Sequence, residues 1–200
     1  MKEIHVVKRD GEQTLLDLDK IHAMVEHACN GLAGVSESQV EMNANLQFFD
    51  GIKTSDIQEI LIRSANDLIS LEAPNYQFVA ARLLLFSLRK AVYNGHPDGH
   101  PPLHEHVVRC AARGVYDASI LQKYTDEEWE KLNSFMDHDR DYLFTYAGIR
   151  QVVDKYLVQD RSSGEVYETP QFMYMMIAAT LFQDDDKFCL LYTSPSPRDS

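Results

Sequence analysis

Hydrophobic positions along this chain follow two patterns. Two short runs rich in strand formers, IHVVK at 4–8 and QTLLDL at 13–18, flank Asp10-Gly11. That dipeptide tolerates the positive φ of a tight hairpin turn, so the stretch predicts a β-hairpin. Apolar residues then recur every three or four positions. Asp19 is placed to cap a helix carrying Ile21, Met24, Val25, Ala28 and Cys29 on one face and closing at Asn30-Gly31. Ser36-Glu37-Ser38-Gln39 reads as a capping box for a second helix. FFDGIK (48–53) breaks the helical period and predicts a short third strand. Thr54-Ser55-Asp56 caps a third helix with Ile57, Ile60, Leu61 and Leu68 inside. Pro74-Asn75 starts a fourth, striped by Tyr76, Val79, Ala80, Leu83, Leu84, Leu88 and Ala91.

The pattern changes at NGHPDGHPPLHEH (94–106), whose three prolines and two glycines predict a linker. Beyond it, LHEHVVRCAARGVY predicts a short helix. Thr125-Asp126-Glu127-Glu128 predicts a capping box before Trp129 and Leu132. DKYLVQDRSSGEVYET (154–169) predicts a hairpin turning at Ser162-Ser163-Gly164, and Thr169-Pro170 starts the apolar helix QFMYMMIAATLF. The expected fold class is α+β, predominantly helical: a small hairpin-based sheet over four helices at 1–93, a linker at 94–106, and a helical segment at 107–188. QFMYMMIAATLF is the stretch expected to be left uncovered.

Charge and cysteine usage narrow the function classes. A formal net charge of −12 over 200 residues argues against broad binding to nucleic acid or anionic membrane, so a phosphate site must be a local basic pocket. No run approaches the roughly 20 apolar residues of a membrane span, and the first residues hold no secretory apolar region. Three well-separated cysteines without a CxxC, Cys29, Cys110 and Cys189, fit a reducing cytoplasm rather than a disulfide or zinc framework.

His96, His100, His104 and His106 fall within eleven residues, but the prolines and glycines among them fix no common face, so they read as a His-rich linker and not a metal site. MDHDRD (136–141) reads as caps and salt bridges. No P-loop, GxGxxG, GxSxG or HExxH occurs, and no catalytic residue is assigned.

The basic residues near the start are the remaining chemistry. Lys8 and Arg9 close a strand before a turn and can project over one sheet edge. Lys20 in a helix's first turn opposes the dipole unless an anion compensates it. Thr54 offers a hydroxyl and free backbone N–H groups, and Lys90 could close the pocket from another side. Leu16, Ile21 and Ile57 would wall a base. Asp19 and Asp56 would repel phosphates unless magnesium intervenes. A solvated surface also carries scattered lysines, and spacing alone does not separate the two readings.

The order VVKRDG…LDLDKI…FFDGIKTSDI…APNYQFVAARLLLFSLRK resembles an ATP-cone, the nucleotide-sensing domain of many ribonucleotide reductases. YDASILQKYTDEEWEKLNSFMDHDRDYLFTYAGIRQVVDKYLVQDRSSGEVYETPQFMYMMIAATLF is similar to the helical region that follows the cone in large subunits of class I ribonucleoside-diphosphate reductases. The resemblance covers roughly 4–182. It implies an allosteric site for ATP (activator) or dATP (inhibitor), with Mg, formed by Lys8, Arg9, Thr14, Leu16, Lys20, Ile21, Thr54, Ile57 and Lys90. Asp56 matches a position tied to telling the two nucleotides apart.

The resemblance also implies a radical-generating small (beta) subunit and alpha–alpha self-association as partners. The parent enzyme reduces ribonucleoside diphosphates to deoxyribonucleotides. Its catalytic cysteines lie outside this chain, which is expected to hold no redox cofactor and to be inactive alone. Gln58 and Ser87 stand where relatives carry histidines near the nucleotide, and Gln58 keeps a hydrogen-bond donor without a charge. A cone-bearing transcription regulator is the alternative, but it calls for a DNA-binding element such as a zinc ribbon. A purely structural helical adaptor would leave the basic set unexplained. CLLYTSPSPRDS (189–200), back-translated, resembles a transposase-based sequencing adapter, so it is expected to be a non-native tail.

Overall fold

Gly11 takes φ 86°, a value that favours glycine, and the chain reverses there between β1 (His5–Val7) and β2 (Gln13–Leu15). The hairpin is closed by Lys8 N–H donating to Glu12 O at 2.9 Å and Gly11 N–H to Lys8 O at 3.0 Å. β3 (Ile52–Lys53) joins the other edge of β1 in parallel, giving the order β2-β1-β3. The computed structural model describes residues 4–8, 11–96 and 99–182; Arg9 and Asp10 lie outside them.

Eight α-helices occur among the described residues: α1 (Leu18–Cys29), α2 (Glu37–Asn45), α3 (Thr54–Asp67), α4 (Tyr76–Tyr93), α5 (Leu103–Ala112), α6 (Asp126–Phe135), α7 (Tyr146–Lys155) and α8 (Pro170–Leu181). The fold class is therefore α+β and mainly helical.

The chain divides into two compact units. One contains residues up to Leu88 together with Tyr142–Asp154; the other contains Arg89–Asp141 and the chain from Lys155 onward. This division differs from the sequence expectation of consecutive domains at 1–93 and 107–188. Most of α7 belongs with the sheet and the first four helices.

In the first unit, Val6 and Ile52 turn the sheet's inner face toward Val25 and Ala28 of α1, Val40 and Ala44 of α2, Leu61 and Ala65 of α3, and Val79, Ala80 and Leu83 of α4, all of them buried. Alanines let the helix backbones approach closely while the larger aliphatics fill the space between them. Arg82 of α4 donates to Ala28 O and Asn30 O at 3.1 and 2.7 Å, satisfying orphan carbonyls at the end of α1.

Local caps depart from expectation in two places. Asp17, not Asp19, caps α1, its carboxylate accepting from Lys20 N–H at 3.1 Å; Asp19 instead sits in the first turn, where it favours the dipole. Ser36 occupies the N-cap of α2, but no side-chain cap bond forms. The Tyr76 hydroxyl donates to Gln39 Oε1 at 2.7 Å and its oxygen accepts from Ser36 N–H at 2.9 Å. The box at Thr125–Glu128 does form.

In the second unit, the stretch expected to be a linker, 94–106, carries no helix or strand among its described residues before Leu103. α5 starts at Leu103 and takes in the last residues of 94–106. His106 is fully buried with its ring stacked on Phe172, 3.9 Å between centroids, and His104 stacks on Trp129 at 5.4 Å. Burial, helped by the Arg109 charge, lowers the His106 pKa to about 3, so the ring packs as a neutral aromatic.

The expected uncovering of α8 is also corrected. Phe172, Met173, Met175, Met176 and Ala179 are buried, whereas Tyr174, Ile177 and Leu181 are exposed. The turn at Ser162–Gly164 is present, but α7 runs to Lys155 and the hairpin reduces to one isolated bridge between Gln159 and Val166.

Candidate functional site

Strand register gathers part of the expected set. β1 and β3 run parallel with Val6 opposite Ile52, and Val6 also faces Thr14 across the antiparallel pair. Side chains alternate faces along a strand, so Thr14 shares its face with buried Val6 and Ile52. Continuing the same alternation one step past β1 puts Lys8 on that face, and Thr54 follows directly after β3 at the carboxyl edge of the parallel pair.

Thr54 is also the first residue of α3, whose N-cap position is taken by Lys53 without a side-chain cap bond. Thr54 was expected to cap this helix; it stands one residue inside it. Its hydroxyl and the first backbone N–H groups of α3 therefore meet at one sheet edge, an arrangement suited to an anion.

Lys8 and Lys20 each have a carboxylate close by. The Lys8 ammonium pairs with Glu12, four residues on, and Lys20 pairs with Asp17 at 2.9 Å. Lys20 holds the Asp17 carboxyl below its usual range, mainly through their hydrogen bond. Both pairs are solvent-exposed, so a multiply charged phosphate chain can exchange for either carboxylate at little cost. The partners Glu12 and Asp17 were not singled out from sequence, although the i,i+4 and i,i+3 spacings announce them.

The apolar members of the set differ in exposure. Ile21 and Ile57 are core residues, each 7% exposed, whereas Leu16 is half-buried just beyond β2. Asp56 is exposed in the first turn of α3 and accepts from the Ser55 hydroxyl at 3.2 Å. A carboxylate there stabilises the helix but opposes a phosphate, so it fits a nucleotide only with a divalent cation between them.

Gln58 does not face an open edge: its amide nitrogen donates to Leu83 O of α4 at 2.9 Å. Arg9 lies outside the described residues. Lys90 belongs to the second unit, where it lines a cavity of about 520 Å3 with Tyr93, His100 and His138.

Comparison with known proteins follows this geometry. The ATP cone domain model matches residues 4–91, and the ribonucleotide reductase all-alpha domain model matches 142–196. The second match runs over 189–196, which the sequence reading set aside as a non-native tail and which lies outside the described residues. The chain is 50% identical over 179 residues to ribonucleoside-diphosphate reductase 1 subunit alpha of Escherichia coli, an alignment covering 90% of this chain and 23% of that protein.

It is 49% identical to the Haemophilus influenzae alpha subunit, covering 90% of this chain and 24% of that one. Identity to the alpha subunit of Enterobacteria phage T4 is 41%, covering 92% and 24%. The chain thus spans about a quarter of the length of these curated relatives. With a cone at its start, a reductase all-alpha domain after it, and alpha-subunit relatives matching nine-tenths of its length, the chain belongs to the ribonucleoside-diphosphate reductase alpha-subunit family.

Proposed function

We propose that this chain is the regulatory N-terminal part of a ribonucleoside-diphosphate reductase alpha subunit, and that its first unit senses ATP against dATP. The observation that supports the reading is the register that aligns Thr14 with Val6, two residues before Lys8, with β3 leading directly into Thr54 at the amino terminus of α3. In this reading the phosphates take the place of Glu12 and Asp17 at the ammonium groups of Lys8 and Lys20, with Arg9 supplying a further cation. The Thr54 hydroxyl and the first N–H groups of α3 donate to phosphate oxygens. Asp56 would help hold magnesium, which would offset the phosphate charge, and Leu16, Ile21 and Ile57 form the apolar side.

Lys90, which the resemblance adds to this set, sits on the last turn of α4. The parent enzyme reduces ribonucleoside diphosphates to deoxyribonucleotides with a radical from a small subunit. ATP sustains that activity and dATP stops it by changing subunit association. No catalytic group is assigned to this chain, which acts as switch rather than catalyst. The reductase all-alpha match at 142–196 favours this over a free-standing cone regulator.

Equilibrium dialysis of the chain against ATP and Mg tests the reading. Lys8→Ala should weaken binding by about 10- to 150-fold, the loss of one charge-assisted contact of roughly 1.5–3 kcal/mol. Unchanged affinity in that variant would move the site away from this sheet edge.

A further inference from the structure

The stretch Tyr142–Asp154 has two memberships. In sequence it opens the reductase all-alpha match at 142–196, and in the fold it belongs to the same compact unit as the sheet and the first four helices. Tyr142 heads that stretch and is half-buried. Two side chains of α4 reach its ring. The Arg82 guanidinium lies 5.7 Å from the ring centre, and the Phe86 ring meets it edge-on at 6.2 Å. Arg82 and Phe86 are four residues apart, so they project from one side of α4.

Both side chains lead on to the carboxyl end of α1. Arg82 donates to Ala28 O and Asn30 O at 3.1 and 2.7 Å. Phe86 packs against the ring of His27, in the last turn of α1, at 5.3 Å. The other end of α1 holds the Asp17–Lys20 pair. One Asp17 oxygen caps the helix at Lys20 N–H, and the other pairs with the Lys20 ammonium at 2.9 Å. A single rigid helix of 12 residues thus joins a cation assigned to the nucleotide with the groups that grip Tyr142.

We propose that Tyr142 is a positioning residue through which α1 sets the ordering of α7, resting on the reading of the first unit as a nucleotide sensor. A phosphate at the Lys20 ammonium frees Asp17 from its ion pair and leaves it only its cap. Those two arrangements of Asp17 are the states between which the effector chooses. Arg82 and Phe86 pass the change from the end of α1 to the Tyr142 ring. Four positions on, the chain enters α7 at Tyr146, anchored by buried Ile149 and Val152. Both grips need a π system, which phenylalanine keeps and leucine lacks.

Hydrogen exchange of the whole chain, read by mass spectrometry on α7 peptides with and without ATP and Mg, tests this. Calorimetry on the same samples reports binding. ATP is expected to slow exchange in α7 of the unsubstituted chain. Tyr142→Leu should lose that slowing while ATP affinity stays within about twofold, and Tyr142→Phe should keep it.

Binding without slowed exchange in α7, or slowing that survives Tyr142→Leu, overturns the proposal and leaves the sensor reading intact. A Tyr142→Leu chain that no longer binds ATP overturns it as well, because the ring would then support the site itself. Absence of binding in the unsubstituted chain is the distinct result that overturns the sensor reading, and this proposal with it.

Discussion

The side-chain amide of Gln58 on α3 donates to the backbone carbonyl of Leu83 on α4 at 2.9 Å, one turn before Ser87. Gln58 and Ser87 are the two positions where the family resemblance leads one to look for histidines, and here one of them ties two helices together. With one amide N–H committed to a main-chain acceptor on α4, Gln58 is held as a tie between the two helices, a structural role rather than a nucleotide contact. Gln58→Ala should lower stability by about 0.5–1.5 kcal/mol in a denaturant titration while leaving dATP affinity within about twofold. A fivefold or larger loss of affinity at unchanged stability would make Gln58 a ligand contact instead.

Thr54 gives the complementary case. Thr54 stands one residue inside α3, past the N-cap position held by Lys53, so Thr54→Val, close in shape, removes a hydroxyl that does not occupy the cap position. Binding of ATP should weaken by about three- to tenfold, and the unfolding midpoint should move little. A large stability loss with unchanged binding would reverse that assignment.

Acid should destabilise the second unit, and the sign follows from four buried groups, His106, His138, Asp141 and Glu168. Burial lowers His106 to about 3 and His138 to about 4, the latter aided by the charges of His100 and Arg89. Both rings stabilise the fold fully above the ordinary histidine value near 6.5, and that contribution is lost as pH falls toward 4. Asp141 acts oppositely: burial raises it to about 6, so its contribution is present at low pH and is lost as pH rises through 6. Burial raises Glu168 too, in the same sense as Asp141, but the two histidine shifts are large, so the melting temperature should fall between pH 6.5 and 4. Asp141→Asn should steepen that dependence, and a flat profile in both proteins would contradict it.

Phe172 is fully buried and stacked face to face on His106. Phe172→Ala removes that ring and opens a cavity, at a cost of about 3–5 kcal/mol by chemical denaturation. A cost below about 1 kcal/mol would mean that the surrounding methionines of α8 close over the gap.

Much of this architecture was legible because it rests on local chemistry. The Asp10-Gly11 reversal, the third strand at FFDGIK and the Thr125–Glu128 box depend on residues within a few positions of one another. What was missed depends on distant partners. Ser36–Gln39 has the composition of a capping box, but Tyr76, forty residues after Ser36, takes the glutamine's oxygen. The histidines of 94–106 sit among helix breakers, which hid the stacking of His106 on Phe172, 66 positions away. At the candidate site, lysine and threonine positions carried the signal through resemblance and chemistry together. The carboxylates that hold those lysines, and the commitment of Gln58 to Leu83, come from the folded geometry.

The most direct test is calorimetric titration of the whole chain with ATP and with dATP in the presence of magnesium, with folding checked by circular dichroism. Saturable binding of both nucleotides, weakened together in Lys8→Ala, is the result predicted here. A folded chain that gives no saturable heat with either nucleotide would contradict the sensing role at this sheet edge, while leaving membership of the reductase family in place.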